Sequence, residues 1–300
     1  MAITLNNGFQ MPIIGLGVWR MEKNEMRDLI INAIKIGYRH FDCAALAMGP
    51  DLDPVDKVGC FATHYKNEAE LGEALAEAFR TGLVKREDLF ITTKANHGHV
   101  VEACKDSLTK LQLDYLDLYL VHFPIATSHT GVGTTASALD ENKELDIDTT
   151  ISLETTWHDM EDLVSMGLFR SIGISNYDIF LTRDCLACSK VKPAVNQFES
   201  HPYFQRDSLV KFCRKHGICA TAHTPLGGSV ANTELFGSDS CLDEPIRKGL
   251  AKKYKKSVVQ IVLRWNIQRN TVVIPKTSKL ERLRKNFQVF DFKLTKEDMD

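Results

Sequence analysis

The sequence predicts an α/β fold in which eight parallel strands alternate with helices, and three observations support this. The chain has 300 residues, close to the size of a (β/α)8, or TIM, barrel. Eight short, apolar, β-branched segments recur along it, each followed by a stretch of helical period. These segments are apolar almost throughout, which is typical of parallel strands covered on both faces. We therefore expect residues 1–300 to form one closed barrel domain.

The predicted strands and helices can be placed individually. The strands are residues 13–18, 39–43, 89–94, 116–122, 171–176, 194–198, 218–223 and 271–276. Apolar stripes at helical spacing are formed by Leu71, Leu75, Ala78 and Phe79, and by Val101, Cys104, Leu108 and Leu111. Residues 4–12 precede the first unit and contain the hairpin signal Asn6-Asn7-Gly8. We expect this N-terminal β-hairpin to cover the bottom of the barrel.

Composition argues against several classes of partner. The formal net charge is −2, so a nucleic acid is not expected. No apolar run approaches the roughly 18 residues that would cross a membrane, and we expect no signal peptide and a cytoplasmic location. The eight cysteines are therefore interpreted as reduced thiols. Cys185 and Cys188 have redox or zinc spacing without a second pair, so we interpret them as ordinary helix residues and predict no metal site. His97-Gly-His99 is interpreted as a surface turn.

Polar residues gather where the predicted strands end. They are Asp42, Lys94, His122, Ser175, Asn176 and Gln197. In a barrel of this type the active site lies at the carboxyl ends of the strands, so these side chains are expected to meet. A lysine there could also form a Schiff base, as in aldolases. The chain has no G-x-S-x-G, P-loop, H-E-x-x-H or G-x-G-x-x-G motif, so a dinucleotide would have to bind in a non-Rossmann way.

Several segments, in order, resemble the aldo-keto reductase family. They include Gly15-Leu-Gly-Val-Trp19, Phe41-Asp-Cys-Ala44, Tyr65-Lys-Asn-Glu68, Leu118-Tyr-Leu-Val-His-Phe-Pro124, Ile172-Gly-Ile-Ser-Asn176, Val195-Asn-Gln-Phe-Glu-Ser-His-Pro-Tyr203 and Ile274-Pro-Lys276. Within the family, the chain is most similar to the plant aldose-6-phosphate reductases through residues 129–135, 145–157 and 222–228. The resemblance implies NADPH-dependent reduction of mannose 6-phosphate or glucose 6-phosphate to the alditol phosphate. It also implies a monomer or homodimer.

The resemblance assigns roles to the polar residues. Tyr65 would protonate the carbonyl oxygen, with its phenol pKa lowered by the Lys94 ammonium. Asp42 would orient Lys94, and His122 would bind the carbonyl oxygen. The substrate would contact Trp19, Lys66 and His122, with Lys66 reaching the phosphate. NADP would contact Val18, Trp19, Ser175, Asn176, Gln197, His223, Thr224, Leu226, Lys276, Thr277, Ser278, Arg282 and Asn286. Two cations with hydroxyls suit the 2′-phosphate and favour NADP over NAD.

Three departures from the family pattern qualify the expected activity. Residues 47–64 separate Asp42 from Tyr65 and do not resemble the family, so we interpret them as an insertion of the kind that retained intron sequence produces. Residues 95–98 replace a longer family segment. The chain stops at Asp300, where family members continue into a C-terminal loop. The sequence leaves open an active aldose-6-phosphate reductase, a general aldose, xylose or aldehyde reductase, an impaired NADPH-binding variant, and an aldolase-type lyase.

Overall fold

The computed structural model describes residues 1–19, 21–44, 67–95, 97, 99–128, 146–228 and 241–299. The chain opens with an antiparallel hairpin of β1 (Ala2–Thr4) and β2 (Gln10–Pro12). Its turn contains Gly8 at φ 90°, a left-handed conformation that glycine adopts readily. Asn6 Nδ2 donates to Pro193 O at 3.0 Å, and Asn7 Nδ2 donates to Arg170 O at 2.9 Å. The hairpin thus lies against the start of the strand Phe169–Ser175 and against the segment that precedes the strand Val195–Glu199, and the prediction of an N-terminal hairpin is confirmed.

Eight parallel strands follow, each paired with the next along the chain. They are β3 (Leu16–Gly17), β4 (His40–Asp42), β5 (Phe90–Ala95), β6 (Leu116–Val121), β7 (Phe169–Ser175), β8 (Val195–Glu199), β9 (Cys219–His223) and β10 (Val272–Val273). The last strand also meets the first: Gly15 N donates to Val273 O at 2.8 Å, and Val273 N donates to Ile13 O at 3.0 Å. These bonds close the sheet and confirm the predicted (β/α)8 barrel.

The described helices surround the barrel. They are α1 (Lys23–Ile36), α2 (Glu68–Arg80), α3 (Val100–Leu111), α4 (Leu153–Ser165), α5 (Ile179–Cys188), α6 (Asp207–Lys215), α7 (Pro245–Tyr254), α8 (Val258–Gln268) and α9 (Leu280–Phe287). Local sequence explains several starts: Ser152 and Asp178 accept N-cap hydrogen bonds, and Ser257 forms a capping box with Gln260. The predicted stripe of α2 is buried at Leu71, Leu75 and Ala78. None of the described helices is long and apolar enough to cross a membrane.

A buried ionic cluster joins three barrel strands away from the polar strand ends. The Asp117 carboxylate, 2% exposed, accepts from Arg86 at 2.8 Å and from Arg170 at 3.1 Å. It also accepts from the backbone N–H of Ile91 at 2.9 Å. Because a buried carboxylate is costly without partners, this full set of donors makes its burial possible. The cluster fixes the starts of β5, β6 and β7 relative to one another.

The structure corrects one prediction made for a histidine pair. His97 is 2% exposed, so it is not in a surface turn. Its Nδ1 lies 2.6 Å from Thr156 Oγ1, and its Nε2 donates to Phe123 O at 2.5 Å. The prediction was wrong because the partners of His97 are remote in sequence; His99 is exposed, as expected. The seven described cysteines are free thiols, Cys185 and Cys188 among them in α5, and Cys60 lies outside the described residues.

Candidate active site

A buried ion pair forms the centre of the polar cluster. Lys94, in β5, is 1% exposed, and its ammonium donates to Asp42 Oδ1 at the end of β4. It also donates to Cys43 O at 3.1 Å. A charged lysine is stable at such a site only when an anion and further acceptors compensate its lost hydration. The two strands therefore place a positive charge inside the mouth of the barrel.

The second oxygen of the same carboxylate connects the pair to the next strands. Gln197 Nε2, in β8, donates to Asp42 Oδ2 at 2.7 Å. Ser175 Oγ, at the end of β7, donates to Gln197 O at 2.8 Å. Both carboxylate oxygens of Asp42 thus have donors, so the side chain is held in one orientation. Four strands that are distant in sequence share one hydrogen-bonded network.

Asn176 extends this network to two histidines. Its Nδ2 donates to His122 O at 3.0 Å, while its Oδ1 lies 3.0 Å from His223 Nε2. With the amide in this orientation, His223 Nε2 carries the hydrogen and Nδ1 can accept from Thr224 Oγ1 at 3.1 Å. Asn176 has φ 63°, and Thr224 has φ 48°. Left-handed backbone at non-glycine residues is costly and concentrates at functional sites.

Both histidines of the network are held neutral. Burial, the Lys94 charge and His223 together hold the pKa of His122 well below its usual value. Burial, reinforced by Lys94, lowers the pKa of His223 to about 4, although Glu199 and Asp42 oppose this. A neutral imidazole can donate one hydrogen bond without acting as a strong acid. His122 is therefore suited to bind an uncharged carbonyl oxygen.

The N-terminus of α2 is tied to two barrel strands. Asn67, 1% exposed, donates through Nδ2 to Val18 O at 2.9 Å, just beyond β3. Glu68, 3% exposed, accepts from Thr93 Oγ1 at 2.7 Å and from Ser107 Oγ at 3.1 Å. Burial raises the pKa of the Glu68 carboxyl, and the two hydroxyls partly oppose that shift. Both residues belong to the Tyr65-Lys-Asn-Glu68 motif, but nothing in their sequence context indicates that they bond to barrel strands.

The predicted phosphate-binding residues surround the start of α9. Thr277 is buried, Ser278 is half-buried, and Lys276 and Arg282 have exposed side chains. Lys276 lies beside β3 through a bridge to Gly17, and Arg282 is in the first turn of α9. Hydroxyls, two cations and the backbone N–H groups of a helix N-terminus together favour a phosphate. Asn286 follows on α9 and is 5% exposed.

Other predicted residues lie around the barrel mouth. Val18 is buried and donates through its backbone N to Asp42 O at 3.1 Å. Trp19, Thr224 and Leu226 are half-buried. The structure therefore brings together several predicted residues at the barrel mouth. They are Val18, Asp42, Lys94, Ser175, Gln197, Asn176 and the two histidines that Asn176 contacts, His122 and His223. Tyr65 and Lys66 lie outside the described residues. No group of three His, Cys, Asp or Glu side chains is placed to hold a metal ion in the described part of the chain.

The family model described as "Aldo/keto reductase family" matches residues 13–300. The chain belongs to the aldo/keto reductase family. This confirms the resemblance found in the sequence, and the match includes the network around Lys94, the α2 N-terminus and the predicted phosphate-binding residues around the start of α9.

Relatives of this aldo/keto reductase agree in sequence and in structure. The NADP-dependent D-sorbitol-6-phosphate dehydrogenase of Malus domestica is 64% identical over 99% of this chain and 91% of its own length. Aldo-keto reductase family 1 member A1-A of Danio rerio is 39% identical over 99% of this chain and 87% of its own length. The structure of the aldose reductase from Schistosoma japonicum superposes with TM-score 0.84 at 37% identity, covering 100% of this chain and 90% of that one. A Bombyx mori aldo-keto reductase in complex with NADP gives TM-score 0.83 at 36% identity with the same coverage.

Proposed function

We propose that this aldo/keto reductase uses NADPH to reduce an aldose 6-phosphate, mannose 6-phosphate or glucose 6-phosphate, to the alditol phosphate. The observation that carries the proposal is the buried Lys94–Asp42 pair, connected through Gln197 to Ser175 and Asn176 at the barrel mouth. The Malus domestica relative, named for NADP and sorbitol 6-phosphate, supports the cofactor and the substrate class. The Bombyx mori neighbour, solved with NADP, supports the cofactor.

The chemistry of the described residues supports the binding of an extended dinucleotide. At the barrel mouth, Ser175, Asn176 and Gln197 would offer a hydroxyl and amide groups to the carboxamide, and His223 would offer a flat, neutral ring to the nicotinamide. Bound there, NADPH supplies the hydride. Val18, Trp19, Thr224 and Leu226 would line the path between the two ends. Near α9, Lys276, Thr277, Ser278 and Arg282 would hold the 2′-phosphate, and Asn286 would contact the adenine.

Proton transfer is assigned to Tyr65. The Lys94 ammonium stays charged because Asp42 compensates it, and a nearby positive charge lowers the pKa of a phenol. His122 would donate a hydrogen bond to the carbonyl oxygen and orient it. Because burial keeps His122 neutral, it is poorly suited to be the proton donor, which leaves that role to Tyr65. Trp19 would form a wall of the substrate site, and Lys66 would bind the sugar phosphate.

The lyase alternative is disfavoured by the same ion pair. A Schiff base requires an uncharged lysine amine, whereas Lys94 donates to Asp42 and Cys43 O. Asp42 stabilises the ammonium, so the amine is not available as a nucleophile. Trapping with borohydride in the presence of a sugar phosphate checks this point, and no Lys94 adduct is expected.

The assay follows NADPH oxidation with mannose 6-phosphate, glucose 6-phosphate and unphosphorylated xylose, beside NADPH binding by fluorescence. We expect turnover to favour a sugar phosphate, and Lys66→Met to raise KM for it while leaving xylose unchanged. The matched control is Lys105→Met, an exposed lysine of α3. Preference for xylose would indicate a general aldose reductase. If the chain binds NADPH but does not turn over substrate, and deleting residues 47–64 restores turnover, the chain is an impaired variant instead.

A further inference from the structure

We propose that Glu68 and Asn67 are positioning residues that hold the start of α2, and with it Tyr65, beside Lys94 in spite of residues 47–64. This inference rests on the proposed function for the role of Tyr65. In the sequence, 22 residues separate Asp42 at the end of β4 from Tyr65, whereas a single residue separates Tyr65 from Asn67. The anchor that we propose is therefore on the helix side of Tyr65.

Glu68 provides the first part of this anchor. Its carboxylate accepts from Thr93 Oγ1 at 2.7 Å, and Thr93 directly precedes Lys94 in β5. The other oxygen accepts from Ser107 Oγ of α3 at 3.1 Å. Neighbouring side chains of a strand point to opposite faces, so Thr93 turns outward to Glu68 while Lys94 turns inward to Asp42. In β5, Thr93 thus bonds to the start of α2, and the next residue, Lys94, carries the positive charge of the site.

Asn67 provides the second part from the opposite side. Its Nδ2 donates to Val18 O at 2.9 Å, and Val18 N donates to Asp42 O at 3.1 Å. Its own backbone O accepts the first helical bond of α2, from Leu71 N at 3.0 Å. The N-terminal end of α2 is therefore hydrogen-bonded both to the segment that follows β3 and to β5.

The rest of α2 also packs closely against both of its neighbouring helices. Gly72 lies so close to α3 that an added Cβ would be 2.3 Å from Lys110 O. On the other side, Arg27 of α1 forms a bidentate pair with Glu77 at 2.6 Å. Tyr65 precedes Asn67 by only two residues in the sequence, and two Cα–Cα steps span less than about 8 Å. Holding Asn67 in place is therefore the means by which we propose that this anchor limits the freedom of Tyr65.

The variant that tests the inference is Glu68→Ala, made both in the full chain and in a chain lacking residues 47–64. Glu73→Gln, an exposed carboxylate of the same helix, is the matched control. In the full chain we expect kcat to fall by about 100-fold, the effect of a displacement of about 1 Å, with the NADPH Kd changed less than about twofold. In the shortened chain the loss should be about tenfold smaller, because the short connection helps to hold Tyr65. Glu68→Gln keeps one acceptor and should restore most of kcat.

A second readout needs no substrate. The phenol of Tyr65 can be titrated by its phenolate absorbance, as the difference between a chain and its Tyr65→Phe counterpart. Beside the Lys94 ammonium it should ionise below its usual pKa of about 10. Glu68→Ala should move that ionisation back towards about 10, whereas a merely structural role would lower Tm without moving it. Thr93→Val, which breaks the same bond from β5, should give the same shift if Glu68→Ala fails to fold.

The outcomes separate this inference from the proposed function. If no sugar phosphate turns over but Glu68→Ala still shifts the Tyr65 ionisation, the substrate assignment fails and the positioning role stands. An equal loss of kcat in the full and shortened chains would overturn the positioning role. So would a Tyr65 ionisation that is the same in Glu68→Ala, Thr93→Val and the unmodified chain.

Discussion

Replacing Asp42 by asparagine should be among the most damaging isosteric changes in this barrel. Asp42 Oδ1 accepts from Lys94, and Oδ2 accepts from Gln197 Nε2 at 2.7 Å. An asparagine has only one acceptor oxygen, so in either orientation its amide N–H would face one of these two donors. Lys94, 1% exposed, would lose its counter-charge in a buried site.

The magnitude follows from the burial of both charges. Removing one partner of a buried ion pair costs about 3–5 kcal/mol, which corresponds to a fall in Tm of roughly 5–8 °C for a chain of 300 residues. Chemical denaturation followed by circular dichroism measures the first quantity, and a thermal scan measures the second. The control is Asp114→Asn, an exposed carboxylate, which should change the free energy of unfolding by less than about 0.5 kcal/mol.

A double variant separates charge from shape. Asp42→Asn with Lys94→Met removes both charges, so the free energy of unfolding should recover by about 2 kcal/mol relative to Asp42→Asn alone. Activity should stay at least about 100-fold below that of the unmodified chain, because the positive charge that the proposed proton donor requires is gone. If Asp42→Asn alone lowered the free energy of unfolding by less than about 1 kcal/mol, the reasoning from the buried pair would be refuted.

Three further predictions concern acid, cofactor and packing. Burial lowers the pKa values of His40 and His223 to about 4, so the unfolded chain binds these protons first as pH falls below about 6.5. Each histidine should then contribute about 2 kcal/mol to the stability lost between pH 7 and pH 5; equal denaturation midpoints at the two pH values would contradict this. Arg282→Ala should weaken NADPH binding by about 10-fold to 100-fold and leave NADH binding unchanged, as measured by fluorescence titration. Gly72→Ala should destabilise the protein by about 1–3 kcal/mol, because the added Cβ would meet Lys110 O. Gly249→Ala in α7 has no atom within 4 Å of its added Cβ, so it should stabilise the protein by about 0.5–1 kcal/mol in the same denaturation assay.

Much of the site could be predicted from the sequence because strand ends in a barrel share one rim. Lys94, Gln197 and Asn176 each end or follow an apolar segment, and closure of the barrel makes such ends neighbours. The family resemblance supplied the roles. What failed was His97, interpreted as part of a surface turn from its Gly98 neighbour, because its partners Thr156 and Phe123 are remote in sequence.

The sequence by itself determined which segments form strands and helices, since hydrophobic period depends on local residue order. It also determined that Asp42 and Lys94 lie at or near strand ends and that Gln197 belongs to a third strand of the same barrel. Only the tertiary structure decided that both oxygens of Asp42 are occupied, that the histidines beside Lys94 are neutral, and that Asn67 and Glu68 secure α2. These properties depend on burial and on hydrogen bonds between residues that are distant in the chain, such as Asp42 and Gln197. The closed barrel brings such residues within hydrogen-bonding distance, and no local sequence pattern determines this.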